Sequence, residues 1–398
     1  MLPLEEVRDH ILSKCPARPP ALVPVADALG LVIAADIVST VLIPPFDNTA
    51  MDGFAVRSAD VADAPVDLTI VETIPAGHAP AVAVGLGQAS RIMTGALMPE
   101  GADAVVMVER TRADGDVVTV EISVPAGNHV RPAGDDIGPG NLVFEAGTVL
   151  TAGGLGVLCS LGLTEVLVYP RLVVGVMSTG DELVDDGSPL APGQIRDSNR
   201  RTLLSLLADL AVDTVDLGLA IDDEEVIEEG LRRGAIECDA ILTSGGVSMG
   251  DFDYVKEVLS RIADMRWMQV AIKPAKPLAF GLLDGVPVFG LPGNPVSAMV
   301  SYELFARPGL RSMQGHREPV REPVLGVAGE NFGRHRDGKT HFLRIVAAHE
   351  NGRFVVRSAG GQGSHMLWAM AKANALAIVP DGEGYVEGDD LEVLLLQC

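Results

Sequence analysis

The chain has 398 residues, 47% apolar and 21% charged, long enough for two to four domains with sizeable cores and too apolar for a disordered chain. A formal charge of −24, with no block of Lys or Arg, excludes a general affinity for nucleic acid or for an anionic membrane surface. Four scattered cysteines (Cys15, Cys159, Cys238, Cys398) with no C-x-x-C spacing exclude a disulfide scaffold and speak against a structural zinc site. The acidic opening Met1–Glu6 is unlike a secretory leader, and no apolar run reaches the ~20 residues of a membrane span, so a reduced, cytoplasmic protein is expected.

Leu4, Val7, Ile11 and Leu12 share one helical face over Leu4–Ser13. Val25–Ala35 reads as a second helix, interrupted by Gly30. Pro44-Pro45-Phe46-Asp47-Asn48 is a rigid turn cluster, and from there to Val130 short apolar runs alternate with Gly and Pro turns. Ala104–Val108 and Val117–Ile122 flank Asp114-Gly115-Asp116 as a hairpin. Residues 41–134 are therefore read as a β-rich module inserted into a mixed first domain made of 1–40 and 135–170. Over 171–314 the strands Leu172–Met177, Thr214–Leu219 and Ala240–Thr243 alternate with helices Ser198–Leu210 (capped by Asp197 or Ser198), Asp222–Arg233 and Tyr254–Ile262, the signature of a three-layer α/β unit with a parallel sheet. Asn294-Pro295 opens a helix through Phe305, with Pro at its first position. After Pro308 the chain returns to short strands and glycine turns, giving a small β-rich C-terminal domain over 315–398.

In an open α/β sheet, ligands bind beyond the carboxyl ends of the strands. Three polar segments fall there: Ser178-Thr179-Gly180-Asp181-Glu182, Ser244–Asp251 and Pro292-Gly293-Asn294-Pro295. Glycine lets backbone N–H groups approach phosphate, and a following helix N-terminus adds positive potential. One such turn is more often only a turn; three at one edge favour an anionic ligand. Gly246-Val247-Ser248-Met249-Gly250 also matches G-x-S-x-G, the nucleophile elbow of serine hydrolases. Ser248 lies several residues past its strand, however, and His316, His335, His341, His349 and His365 all fall in the C-terminal region, so a chance match is the better reading. Most carboxylates in so acidic a chain are solvated. Those beside turns are Asp52, Asp136, Asp181, Glu182, Asp222, Asp223, Asp251 and Asp253, and Asp181/Glu182 with Asp251/Asp253 suit a Mg²⁺ shared with substrate phosphate. The histidines show no transition-metal spacing. Two of the six lysines, Lys273 and Lys276, lie within Lys273-Pro274-Ala275-Lys276-Pro277, which concentrates positive charge as an oxyanion site requires; a solvated loop with accidental spacing fits this segment equally well.

Pro45-Phe-Asp-Asn-Thr-Ala-Met-Asp-Gly-Phe-Ala-Val-Arg57 closely resembles the opening motif of the molybdopterin molybdenumtransferase family, the MoeA proteins and the gephyrin E domain. The likeness continues in order through Arg91-Ile-Met-Thr-Gly95, Arg131-Pro-Ala-Gly-Asp-Asp-Ile137, Ser178-Thr-Gly-Asp-Glu-Leu183 and Ser244-Gly-Gly-Val-Ser-Met-Gly-Asp-Phe-Asp-Tyr254. Lys273–Pro277, Leu291-Pro-Gly-Asn-Pro-Val-Ser297 and Gly361-Gln-Gly-Ser-His365 complete it. The central motifs alone would also fit adenylyltransferase relatives; the opening motif and the C-terminal region point to the transferase. The carboxylates and lysines it keeps argue against a scaffold that retains only the fold.

The resemblance implies a four-domain, elongated homodimer: a central three-layer α/β molybdopterin-binding domain, a β-rich insertion and a small C-terminal β-barrel-like domain. It implies an enzyme of molybdenum cofactor biosynthesis that takes adenylylated molybdopterin and molybdate, inserts molybdenum and releases AMP with Mg²⁺, with other pathway proteins as possible partners. Asp52, Thr94, Glu182, Asp222 and Asp253 then match catalytic positions, and Asp136, Glu182 and Asp253 match metal positions. Ser178, Thr179, Gly180, Asp181, Gly245, Gly246, Ser248, Pro292, Gly293 and Asn294 match the substrate cradle. Lys273, Lys276, Pro277, Arg344 and Ser364 look like the molybdate pocket. Three departures bear on that pocket: Phe54 stands for the usual Tyr and lacks its hydroxyl, Ala275 stands for a Gly, and Gln269 stands where many relatives are basic.

Overall fold

The computed structural model describes residues 1–246 and 254–396. The chain folds into two compact units. The first comprises Met1–Ala34, Gly147–Thr151 and the chain from Val166 onward; the second comprises Ala35–Ala146 and Ala152–Glu165.

The first unit is organised by a six-stranded sheet in the order Asp213–Ala220, Val173–Thr179, Ala240–Ser244, Val286–Leu291, Pro277–Leu283, Asp264–Gln269. The first four are parallel and the last two pairings antiparallel. The parallel strands are near-continuous apolar runs because helices cover both faces. Leu203, Leu207, Val296 and Val300 pack on one face with Val174, Val176, Leu242 and Phe289. Ile227, Leu231, Val255 and Val258 pack on the other with Met177, Ile241 and Val288. The helix Glu224–Glu237 starts at Asp223, whose carboxylate accepts from the backbone of Glu225 and Val226. Such a cap contributes about 1 kcal/mol.

Three sequence expectations change here. Val25–Ala35 is not a helix: a single 3-10 turn at Val25–Asp27 gives way to the strand Val32–Ile33, which pairs with Val168 and Tyr169. Gly30, at φ +78, ends the turn where a helix would need to continue. The helix from Pro295 also does not stop at Phe305. It runs Pro295–Ser301, a π turn Tyr302–Ala306, then Arg307–Met313, passing through Pro308. The wider turn, closed by the Arg307 N–H on the Tyr302 carbonyl, sits just ahead of Pro308, which has no N–H to donate. Third, the helix read as Ser198–Leu210 is Asn199–Leu207 followed by a 3-10 turn. Its Ser198 side chain makes no cap, whereas Asp197 accepts from the Arg200 N–H at 3.2 Å.

The C-terminal part of this unit is a closed five-stranded barrel. Thr340–Glu350, Arg353–Ser358, Val324–Ala328, Asp390–Leu395 and Ala375–Val379 follow one another around it, and the last pairs back to the first. Ile345, Ala347, Val356, Ala375, Ala377 and Val393 fill its interior. A sixth, two-residue strand, Ile272–Lys273, joins its edge in register Ile272↔Thr340 and Lys273↔His341.

The second unit holds a six-stranded sheet in the order Ala104–Met107, Gly53–Val56, Gln88–Ile92, Val66–Ile74, Val117–Val120, Thr111–Asp114. The turn at Asp114-Gly115-Asp116 does form a hairpin, but Val117–Val120 pairs with Thr111–Asp114; Ala104–Met107 pairs instead with Gly53–Val56. A three-residue helical turn at Val108–Arg110 breaks the run and lets the chain change neighbours. Phe54 and Val56 face one core and Ala55 the other. Phe54 is 1% exposed among Val56, Val61 and Leu68, so its ring belongs to the core of this sheet. No helix among the described residues is long and apolar enough to cross a membrane.

Candidate functional site

The parallel registers bring four strand ends to one edge: Ser178 lies level with Leu219 and Ser244, and Ser244 with Leu291. The turns that follow are stitched together. Gly180 N–H donates to the Ala220 carbonyl at 3.2 Å, and Gly245 N–H to the Leu291 carbonyl at 3.2 Å. Asp181 N–H donates to Asp222 Oδ2 at 3.4 Å, while Asp222 N–H donates to Asp181 Oδ1 at 2.9 Å. The Glu182 carboxylate folds back toward Gly180. Gly245 and Gly246 have φ of +100 and +68, and a Cβ on Gly245 would sit 2.9 Å from the Thr179 carbonyl oxygen, so this turn accepts only glycine. Ser178, Thr179, Gly180, Asp181, Glu182, Asp222, Gly245, Gly246, Pro292, Gly293 and Asn294 thus share the carboxyl edge. Ser248, Asp251 and Asp253 lie outside the described residues.

Beneath this edge lies an ion cluster around a buried arginine that sequence reasoning missed. Arg200 is 3% exposed and bonds Asp185, Asp197 and Asp216. Asp197 also accepts from the Ser178 hydroxyl at 3.1 Å. The sequence offers little signal for this, because the three carboxylates are up to 31 positions apart.

The oxyanion candidates are arranged differently. Lys273 and Lys276 are exposed, while Pro274 and Ala275 between them are buried. Val270 N–H closes the loop on the Lys276 carbonyl at 2.7 Å, and Ala275 adopts φ +71, the left-handed conformation that suits the Gly it replaces. Neither lysine meets a carboxylate among the described residues. Lys273 lines a cleft of about 470 Å³ in the barrel with Arg344, Gln362, His341 and Arg334; Lys276 is not among its lining residues. Arg344 is 1% exposed and has no carboxylate partner among the described residues. Among the described residues its guanidinium reaches only the carbonyls of Phe342, Gly361 and Gly363, at 3.3 to 3.5 Å, and Nε has no partner there. Burial alone pulls its pKa down to about 10. Gln362, inside a motif already singled out, clamps the Arg344 backbone on both sides at 2.9 and 3.0 Å. The Ser364 carbonyl accepts the Val296 N–H at 3.1 Å, which ties this loop to the helix that follows Asn294. Across the cleft, His341 bonds Asp337 at 3.1 Å, which holds the Asp337 carboxyl down at about 2.

In the second unit, three motifs converge. Asn48 pairs with Arg131, Gly53 with Ile92, and Gly95 N–H donates to the Thr49 carbonyl at 2.9 Å. Asp52 Oδ1 accepts from both the backbone and the hydroxyl of Thr94, each at 2.6 Å. These bonds hold its carboxyl below the ordinary value of 3.8. Asp136 is exposed in the same unit, its N–H on the Ile43 carbonyl. No group of three His, Cys, Asp or Glu side chains is placed to hold a metal among the described residues.

Three family models match in order: the MoeA N-terminal region (domains I and II) at 2–162, a probable molybdopterin-binding domain at 175–312 and the MoeA C-terminal region (domain IV) at 331–396. The molybdopterin molybdenumtransferase of Haemophilus influenzae is 37% identical over 98% of this chain and 97% of its own. Molybdopterin molybdenumtransferase 2 of Mycobacterium tuberculosis is 40% identical over 91% of each chain. The solved molybdopterin biosynthesis MoeA protein of Pyrococcus horikoshii is 30% identical, with a TM-score of 0.80 over 99% of this chain and 100% of that one. The chain belongs to the molybdopterin molybdenumtransferase family.

Proposed function

We propose that this transferase of molybdenum cofactor biosynthesis takes adenylylated molybdopterin and molybdate, inserts molybdenum into the dithiolene and releases AMP. The observation that carries the proposal is Arg344, a buried guanidinium that pairs with neither Glu330 nor Asp337, the carboxylates lining the same cleft as Lys273. A buried cation without a counter-ion is unfavourable by several kcal/mol, at least about 2, unless an anion completes it. A tetrahedral dianion supplies that charge, with Lys273 as the ammonium that lines the cleft and Lys276 three residues further along the loop, outside its lining. At the sheet edge, the glycine turns offer backbone N–H groups to phosphate. The Asp181–Asp222 pair fixes two of those turns against each other, so the phosphoanhydride is held for attack by water while AMP leaves.

Mg²⁺ is the implied cofactor. The donor chemistry at the edge fits it: hard carboxylate oxygens of Glu182 and Asp222 beside a phosphate cradle, with substrate oxygens filling the remaining positions. Glu182 and Asp222 would hold the ion, which when bound neutralises phosphate charge. We further infer a homodimer in solution, of twice the 41.7 kDa chain mass. The test is to incubate the protein with adenylylated molybdopterin, molybdate and Mg²⁺, then measure AMP and the reconstitution of a molybdenum-free molybdoenzyme. Stoichiometric AMP with active cofactor is expected, and a chelator abolishes both. Turnover that is unchanged in metal-free buffer would remove Mg²⁺ from the account; no AMP under any condition would remove the substrate.

A further inference from the structure

The segment that opens the helix Asn199–Leu207 touches three of the four strand ends that carry the site. Asp197 takes the Ser178 hydroxyl. Two residues on, Asn199 Nδ2 donates to Ser244 Oγ at 2.8 Å and to the Gly293 carbonyl at 2.7 Å. A carbonyl can only accept, so Gly293 fixes which way the amide faces, and both amide hydrogens are committed. The two turns that it joins lie close together: a methyl on Gly293 would lie 3.8 Å from the α-carbon of Gly245. Glycine turns have little stiffness of their own, so their spacing has to be imposed from outside.

We propose that Asn199 is a positioning residue whose amide sets the separation of the Ser244–Gly246 and Pro292–Asn294 turns, and with it the width of the phosphate cradle. The role of the cradle rests on the substrate reading above; the clamp itself does not. A misplacement of about 1 Å in such a cradle costs on the order of 10²-fold in rate.

The test uses full-length Asn199→Ala and Asn199→Asp. Hydrogen exchange of the Gly245 and Gly246 amides, read without substrate, should quicken at least about tenfold in both. KM for adenylylated molybdopterin should rise about tenfold or more, with KM for molybdate within about twofold of wild type. Asn199→Asp regains one donor on protonation, so its deficit relative to wild type should shrink as pH falls, whereas that of Asn199→Ala should not. Unchanged exchange at the two glycines overturns the clamp, as does a loss that follows the melting temperature and spares the split between the two KM values. Should Asn199→Ala not fold, Ser244→Ala removes a single acceptor and is read by the same exchange measurement. Quickened exchange alongside a wild type that releases no AMP would overturn the substrate reading and leave the clamp standing.

Discussion

The sheet edge and the barrel cleft handle charge in opposite ways. At the edge, carboxylates are exposed or half-buried and are held by neutral donors: Asp181 and Asp222 by each other's backbone, Asp223 by the first turn of its helix. Asp52 in the second unit repeats the device with Thr94. In the cleft a cation is buried, and its hydrogen-bond partners among the described residues are carbonyls at long range, while the lining carboxylates Glu330 and Asp337 make no ion pair with it. An edge built on backbone geometry gives shape at little cost to stability. A cleft built on an uncompensated charge gives affinity at the expense of the free protein.

Removing the buried charge breaks this contrast most sharply. Arg344→Met should lower molybdate-dependent turnover at least about 100-fold while leaving the melting temperature equal or higher, because it removes a desolvated charge that no carboxylate compensates. Kinetics and calorimetry on one preparation read both. Gly245→Ala attacks the edge instead. With φ at +100 and a close approach to Thr179, it should destabilise by about 1–3 kcal/mol and weaken the pterin substrate, not molybdate, which urea melts and the two KM values check.

Lys276→Ala is a milder cut at the anion side. It should raise KM for molybdate about tenfold, with activity recovered at high molybdate; equal loss at every concentration would argue against a point charge for the anion. Thr94→Val tests the neutral-donor device. Asp52 has a folded pKa depressed below 3.8, so its contribution is complete above that value and is lost as pH falls through the lower folded pKa. The variant should move the Asp52 titration back up, as carboxyl NMR shifts would record. Ala275→Gly should change least. Relief of the left-handed conformation, about 1 kcal/mol, is offset by loss of a buried methyl, about 0.8 kcal/mol.

The edge was legible in the sequence because parallel strands end in turns whose glycines mark themselves, and because the same periodicity locates their helices. Ser178–Glu182 and Pro292–Asn294 are read this way, and the level registers follow from the pairing. Arg344 carried no such mark: one arginine on a strand looks like any other until the barrel closes and removes its water. Resemblance to a family supplied it, as it supplied Ser364. Asn199 and the Arg200 cluster went unread because their partners are 45 and 94 positions away in one case and spread over Asp185–Asp216 in the other. Pro308 misled for a local reason, since nothing in the sequence announces that a π turn will accommodate it.

The oxyanion subsite around Arg344 is the central claim. Equilibrium dialysis of radiolabelled molybdate against the wild-type protein, Arg344→Met and Asn199→Ala measures it without any turnover. One molybdate per chain is predicted for the wild type, with affinity lowered at least about tenfold by Arg344→Met and unchanged by Asn199→Ala. Equal molybdate affinity in the wild type and Arg344→Met would contradict that claim.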